Sequence, residues 1–203
     1  MACMSTDEEY GRALDTFVKG CADVILRDGA TKEVLILKRI VHPQPDWWFM
    51  GGRMRAGETP QQAAAKNVKR ETGMDIAPDR FRAVCAASYL WSMRKQAPSD
   101  NGTADIVVVQ SAEITGPERD IASKDWDTEE YEGAMWVQPQ ALVDDAQYHP
   151  ALRRAVLHLC MRDKWDGLRA AVDAAKDDAT IAGLARELVQ MEKQSEALEG
   201  GSW

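Results

Sequence analysis

Two neighbouring stretches of sequence decide the fold, residues 47–58 (WWFMGGRMRAGE) and residues 66–74 (KNVKRETGM). The first is an aromatic and apolar run that leads into a glycine turn. The second ends a helix that we expect to begin after Thr59, a good N-cap residue, with Pro60 at its first position and Gly73 as its stop signal. The sequence therefore predicts an extended segment, a glycine turn and then a helix.

The predicted helix presents three polar side chains on one face. Asn67, Arg70 and Glu71 lie three and four positions apart, and such positions are neighbours on a helix surface. Carboxylates grouped in this way collect divalent cations, which neutralise a diphosphate and activate water. Here Asn67 offers only a neutral oxygen, and Arg70 repels a second metal ion but can itself contact a phosphate. Glu71 can anchor one Mg²⁺ if a backbone carbonyl and another side chain complete the ligand set.

The composition suits one compact core with a small addition. The chain has 203 residues, of which 45% are hydrophobic, enough to bury one sizeable core. Its 33 acidic and 25 basic residues give a net charge of -8, so the surface as a whole does not attract nucleic acid. A local basic patch around Arg39, Arg53 and Arg55 could still bind a phosphorylated small molecule.

The cysteines and the hydropathy pattern favour a soluble, cytoplasmic protein. The four cysteines are scattered, without the paired spacing of a zinc site or a redox couple, which is typical of reduced thiols. No apolar run approaches membrane-spanning length. The acidic residues 7–9 argue against a signal or transit peptide. We therefore expect neither a membrane nor a nucleic acid as a partner.

Outside these stretches the pattern predicts further strands and then a helical region. Residues 92–103 are predicted to be a polar loop and residues 116–132 an acidic, irregular segment. The run IVVV at residues 106–109 is predicted to be a central strand of the sheet. The other predicted elements are helices at residues 7–19, 151–175 and 180–198 and strands at residues 21–27, 33–39, 81–91 and 134–137.

The spacing within residues 52–74 resembles the Nudix box of the Nudix hydrolase superfamily. In that box a glycine, a first glutamate, an arginine, three metal-binding glutamates, a second glycine and an apolar residue stand at fixed positions. Lys66 takes the place of the arginine, and Asn67 and Arg70 take the places of two of the three metal-binding glutamates. The residues that fit the box are Gly52, Glu58, Glu71, Gly73 and Met74.

Within the superfamily, the chain resembles the GDP-mannose mannosyl hydrolase type. Members of this type also lack the two glutamates that Asn67 and Arg70 replace. The resemblance covers residues 6–154 and leaves the two C-terminal helices uncovered. Besides the box, it is carried by residues 48–53 (WFMGGR), residues 37–39 (LKR), Asp23 and the predicted first helix.

The resemblance implies a Nudix fold, an α/β (α+β) arrangement in which a mixed β-sheet is sandwiched between helices. We predict this domain at residues 1–150 and a helical C-terminal extension at residues 151–203. The implied activity is hydrolysis of a nucleoside diphosphate-linked sugar or related compound with one Mg²⁺, for which Mn²⁺ could substitute. Water would attack the anomeric carbon of the sugar rather than phosphorus.

The resemblance also implies roles for individual residues. The metal ligands would be the Gly51 carbonyl, Glu71 and Glu130. Arg39 and Arg53 would stabilise the departing nucleoside diphosphate, Asp23 would lie near the sugar, and Tyr131 matches the general-base histidine of the family.

Tyr131 is a poor general base at neutral pH, because an ordinary phenol has a pKa of about 10. Glu129, Glu130 or Glu132 could accept the proton of the attacking water instead. For substrate binding, Trp47 could stack on a nucleobase and Arg70 could contact a phosphate.

Two alternatives stay open. One is a catalytically inactive Nudix module that binds a nucleotide or serves as a subunit of a larger assembly, which Asn67, Arg70 and Tyr131 favour. The other is ordinary cleavage of a phosphoanhydride. The apolar faces of the C-terminal helices could carry a homodimer or another protein partner. His42, Arg94 and Lys95 are expected to be solvated loop residues.

Overall fold

The computed structural model of the chain describes residues 6–124 and 126–198. The chain forms two compact units. The boundary between the main segments of the two units lies between Trp136 and Val137. The first unit contains a β-sheet with helices, and the second is helical. The domain boundary predicted at residue 150 stays a prediction.

Strands and helices follow one another along the first unit largely as the sequence predicted. Its helices are α1 (Asp7–Thr16), α2 (Pro60–Thr72) and α3 (Gly116–Ala122). Its strands are β1 (Lys19–Asp28), β2 (Val34–Arg39), β3 (Trp47–Trp48), β4 (Met50–Arg53), β5 (Arg82–Trp91), β6 (Thr103–Ile114) and β7 (Tyr131–Val137).

Strand β1 lies at the centre of a mixed sheet. It pairs in parallel with β6 and antiparallel with β2 and β4, while β5 pairs antiparallel with β6. Strands β3 and β7 both join β2. In this register Asp23 lies opposite Gly51 on β4 and opposite Val109 on β6. The mixed sheet and the central position of residues 106–109, both predicted from the sequence, are confirmed.

Helix α2 is fixed at both ends by its own sequence. The Thr59 hydroxyl accepts a hydrogen bond from the Gln62 N–H, and the Gln62 side chain accepts one from the Thr59 N–H. This reciprocal capping satisfies two backbone donors that a helix start leaves unpaired. Gly73 ends the helix with a φ of 74°, a left-handed conformation that glycine adopts without steric cost.

The core of the first unit lies between α2 and one face of the sheet. Ala63, Ala64 and Val68 have no exposed surface, and they belong to one cluster with apolar side chains such as Leu26 and Leu37. Burial of apolar surface contributes about 25 cal/mol per Å² to stability. This packing holds α2 on the sheet and thereby fixes where its polar residues 67, 70 and 71 lie.

The segment at residues 116–132 is more regular than the sequence predicted. Thr115 and Glu118 close a capping box, and Pro117 stands in the first turn of α3. Strand β7 begins at Tyr131 rather than at residue 134. The prediction of an irregular segment was wrong. It followed the acidic composition and overlooked the Thr-x-x-Glu pattern of residues 115–118, which is typical of a helix start.

The second unit is built from α4 (Pro139–Asp144), α5 (Pro150–Asp173) and α6 (Asp178–Leu198). The two long helices predicted from the sequence are confirmed, whereas α4 was not predicted. Helices α5 and α6 are joined by an ion pair of 2.5 Å between Lys164 and Glu187 and by a hydrogen bond of 2.9 Å between Ser195 and His158. The homodimer or protein partner predicted for these helices stays a prediction.

Within residues 6–124 and 126–198, each helix is too short or too polar to cross a lipid bilayer.

We predict that Thr59→Ala lowers the free energy of unfolding by about 1 kcal/mol, because the Gln62 N–H at the start of α2 loses its capping hydroxyl. Urea denaturation followed by tryptophan fluorescence measures the effect. Thr16→Ala is the matched control, since the Thr16 hydroxyl is exposed and bonds only the Arg12 carbonyl within α1. Equal losses in the two variants would contradict the assigned role of Thr59.

Candidate active site

A cavity of about 310 Å³ opens beside β1 in the first unit. Its walls come from α1 and α2, from strands β1 to β6, and from the loops at residues 40–46 and 92–102. Six of the residues predicted from the sequence line it, namely Asp23, Arg39, Gly51, Arg53, Arg70 and Glu130. Glu71, Tyr131 and Trp47 are not among the described residues that line it.

Asp23 is a buried carboxylate in the wall of this cavity. Its Oδ2 accepts a hydrogen bond of 3.2 Å from the Trp48 indole N–H. Burial raises the pKa of Asp23 to about 6. A Cβ on Gly51 would come within 2.3 Å of Asp23 Oδ1, so only glycine fits opposite this carboxylate. The glycine turn is therefore required by the position of Asp23.

Asp105 is a second carboxylate in the same wall, which the sequence analysis missed. Its Oδ2 accepts a hydrogen bond of 3.0 Å from the Trp91 indole, and Lys19 Nζ lies 3.1 Å from Oδ1. Alternate residues of a strand share one face, so Lys19 lies on the same side of β1 as Asp23. The alternation of side chains between the two faces of β1 and β6 was the signal that could have identified Lys19 and Asp105.

Four arginines line the cavity, namely Arg39, Arg53, Arg70 and Arg94. Arg39 Nη2 lies 3.8 Å from Glu130 Oε2, and the Glu130 backbone carbonyl accepts a bond of 2.9 Å from the Ile40 N–H. The Arg53 guanidinium lies 4.5 Å from the ring centroid of Tyr10, a residue of α1. Such a cation–π contact orients the guanidinium. The sequence predicted a helix at residues 7–19 but not the contact between Tyr10 and Arg53.

Arg70 connects two oxygens that were predicted to bind a metal ion. Its Nη2 donates a hydrogen bond of 3.0 Å to the Gly51 carbonyl and also bonds Oε1 of Glu71. Its Nη1 lies 3.5 Å from Oδ1 of Asn67. The Asn67 amide in turn donates to the carbonyls of Ala22, at 3.2 Å, and Gly52, at 3.1 Å. Asn67 thus ties α2 to β1 and β4.

Glu71 is enclosed, and both of its carboxylate oxygens have donors. Oε1 bonds Arg70, and Oε2 accepts a hydrogen bond of 2.7 Å from the Tyr131 hydroxyl. Burial raises the pKa of Glu71 to about 7. Burial also raises the pKa of Tyr131, and its hydroxyl gives its proton to the bond with Glu71. Tyr131 is therefore suited to position Glu71 rather than to act as the general base.

As arranged, these residues do not fit a divalent ion at the predicted position. A guanidinium nitrogen already bridges the Gly51 carbonyl and Glu71, and Glu130 is paired with Arg39. Among the described residues, no cluster of three or more His, Cys, Asp or Glu side chains is placed to hold a metal ion. The ligand set of Gly51, Glu71 and Glu130 stays a prediction.

Glu58 supports the loop between β4 and α2. Its Oε2 accepts a bond of 2.7 Å from the Arg55 N–H and lies 2.5 Å from Lys66 Nζ. Lys66, which replaces the usual arginine of the box, also donates to the Arg53 carbonyl at 3.3 Å. These contacts hold the backbone of Arg53 next to the cavity.

Burial and contacts bear on three further residues, and the stacking role of Trp47 stays a prediction. Arg94 was expected to be solvated, which was wrong: its side chain is 2% exposed and Nη1 lies 2.7 Å from Asp15 Oδ1. Arg94 instead joins α1 to the loop at residues 92–102. Trp47, the candidate for stacking on a base, is half-buried with Lys38 Nζ 5.9 Å from its ring centroid. His42 is exposed, as expected, and it also lines the cavity.

We predict that Asp23→Asn raises the stability of the folded chain at neutral pH. Because the folded-state pKa is raised from 3.8 to about 6, the folded form binds the proton more tightly than the unfolded form. The native carboxylate therefore costs stability increasingly as pH rises through this window, and the cost is complete above about pH 6, at most on the order of 3 kcal/mol.

Thermal unfolding of the wild type and Asp23→Asn from pH 4 to pH 7 measures this effect, with Asp120→Asn, an exposed carboxylate on α3, as the control. The difference in Tm between Asp23→Asn and the wild type should grow with pH. A difference that stays constant over the range would mean that Asp23 titrates as an ordinary carboxylate.

Comparisons with known proteins bear on this arrangement. The family model of the NUDIX domain matches residues 19–159, more than half of the chain, while no curated protein matches it. A MutT NUDIX hydrolase from Burkholderia pseudomallei is similar in structure, with 19% identity and a TM-score of 0.51 over 69% of this chain and 96% of its own. A MutT protein from Methanosarcina mazei Go1 shares 14% identity, with a TM-score of 0.52 over 68% of this chain and 90% of its own. The matched residues include the glycine turn of β4 and helix α2. The family match shows that the chain belongs to the NUDIX domain family.

Proposed function

We propose that this Nudix chain hydrolyses a nucleoside diphosphate linked to a sugar or a related group. The observation that carries the proposal is that Arg39, Arg53 and Arg70 line the same cavity as the buried carboxylate Asp23. Guanidinium groups stay charged at every physiological pH and match the geometry of phosphate oxygens. Such a cavity suits a ligand that combines an anionic group with a neutral, polar group.

The three arginines would hold the diphosphate and bear the charge that develops on it as it departs. Charges fixed in position before the reaction stabilise a transition state without the cost of reorganising solvent. Arg53 is oriented by Tyr10, and Arg70 by Gly51 and Glu71, so both guanidinium groups are positioned in advance. This arrangement supports leaving-group stabilisation as the main contribution of the site.

The carboxylates would act on the sugar and on water. As the bond between the anomeric carbon and the diphosphate oxygen breaks, the sugar develops positive charge, which an ionised Asp23 would stabilise. The oxygen of a water molecule would form the new bond to the anomeric carbon, and Glu130 would accept a proton from that water. Glu130 suits this role because its side chain lines the cavity and is 34% exposed.

Magnesium has no assigned step in this proposal. Nudix hydrolases generally use divalent metals, and the sequence predicted one Mg²⁺ at Gly51, Glu71 and Glu130. No step above depends on that ion, because Arg70 bridges two of the three predicted ligands.

A catalytically inactive nucleotide-binding module is the second candidate function. The enclosure of Glu71 favours it, since the one retained glutamate of the predicted metal site offers no free oxygen. Cleavage of a phosphoanhydride ranks third, because attack on an anionic phosphorus depends more strongly on bound metal ions. The cavity arginines would bind the ligand in all three cases.

Turnover of a panel of nucleoside diphosphate sugars in water enriched in ¹⁸O, with and without Mg²⁺, tests the proposal. Label in the released sugar is the expected result, because water attacks the anomeric carbon. Label in a phosphate product would replace the proposal with phosphorus attack. Binding without any turnover would favour the inactive module.

We predict that Arg39→Gln weakens binding of a nucleoside diphosphate by about tenfold or more, since one charged contact to phosphate is lost. Isothermal titration calorimetry measures the affinity. Lys38→Gln is the matched control, because Lys38 loses the same charge one residue away but pairs with Glu132 at 3.6 Å. Equal effects of the two changes would indicate a general electrostatic effect and count against a phosphate contact at Arg39.

A further inference from the structure

One guanidinium nitrogen stands where the sequence predicted a metal ion. Arg70 Nη2 donates to the Gly51 carbonyl at 3.0 Å and to Oε1 of Glu71. A divalent ion shared by these two ligands would have to contact the same two oxygens. The nitrogen and the ion therefore compete for one position.

The groups around Arg70 hold it in this position. Tyr131 bonds the second oxygen of Glu71 at 2.7 Å, which fixes the carboxylate against rotation. Asn67 has no exposed surface, and its amide donates to two backbone carbonyls, one of them that of Gly52. A glutamate at position 67 could not donate these bonds. The two replaced residues of the box, Asn67 and Arg70, thus act together.

Arg70 is also placed to reach a ligand. Its side chain is 49% exposed and lines the cavity, whereas Glu71 behind it is enclosed. Two of its five N–H hydrogens, the Nε hydrogen and one on Nη1, have no acceptor among the described residues. The guanidinium therefore presents positive charge and free donors to the cavity while it neutralises Glu71.

We propose that the Arg70 guanidinium replaces the divalent cation of this site, so that the chain binds a nucleoside diphosphate without Mg²⁺. The identity of the ligand rests on the proposed function above, but the exclusion of a metal ion does not. The guanidinium supplies the cation that would otherwise bridge the protein oxygens and the diphosphate. A lysine would be a poor substitute, because its single ammonium group lacks the planar fork that spans these oxygens.

Binding of Mn²⁺ alone, followed by electron paramagnetic resonance without any nucleotide, tests the exclusion directly. The wild type should bind no Mn²⁺ that depends on Glu71. Arg70→Glu should create one such site, with an affinity at least about tenfold above any binding by the wild type, because a second carboxylate replaces the competing cation. Arg70→Gln, which removes the charge at a smaller change in shape, provides a second variant, and thermal unfolding verifies that each variant is folded.

The matched control is Lys69→Glu. It makes the same change of charge one residue away, on an exposed side chain that pairs with Asp75 at 2.6 Å. Lys69→Glu should bind no more Mn²⁺ than the wild type. A wild-type Mn²⁺ site that Glu71→Gln abolishes would overturn the proposal, as would equal gains in Arg70→Glu and Lys69→Glu.

Calorimetric titration with GDP as the probe tests the second half of the proposal. Wild-type affinity in EDTA should equal that in excess Mg²⁺, whereas Arg70→Glu should bind GDP only with Mg²⁺. A wild-type affinity that rises about tenfold or more with Mg²⁺ would overturn metal-independent binding. Failure of the wild type to bind GDP in either condition would refute the proposal's ligand-binding half, while the Mn²⁺ experiment would still decide whether Arg70 excludes a metal ion.

Discussion

The bridge that Arg70 makes between the Gly51 carbonyl and the Glu71 carboxylate is the interaction on which the site depends. It joins the glycine turn to α2 and neutralises a carboxylate that has no exposed side-chain surface. An unpaired charge in such a place would cost several kcal/mol. Removal of the guanidinium without a replacement cation would therefore destabilise the positions of Glu71, Tyr131 and the glycine turn together.

The same cavity contains two carboxylates whose surroundings differ. Asp105 has a cationic neighbour in Lys19, whereas Asp23 has an indole donor and a raised pKa. A buried carboxylate with no ion-pair partner among the described residues is costly for the fold, and such costs concentrate at sites that bind or react. The cavity thus combines a destabilising carboxylate with positioned arginines, which is the pattern expected of a functional site rather than of a scaffold.

Local signals in the sequence predicted the parts of the structure that local chemistry determines. Thr59, Pro60 and Gly73 marked the ends of α2 because capping and left-handed conformation depend on neighbouring residues alone. The bond of Arg70 to the Gly51 carbonyl and the partner of Arg94 could not be predicted, because they depend on how separate segments pack. Arg94 reaches Asp15, which is 79 positions away in sequence. The role of Tyr131 likewise followed only from its bond to Glu71 across 60 positions.

The most direct test of this account is a crystal structure of the chain with a bound nucleoside diphosphate, grown with Mn²⁺ and measured at the manganese absorption edge. We predict that the diphosphate lies within hydrogen-bonding distance of Arg70 and that no anomalous peak appears between the Gly51 carbonyl and Glu71. A manganese peak at that position, with the Arg70 side chain turned away from both oxygens, would contradict the account.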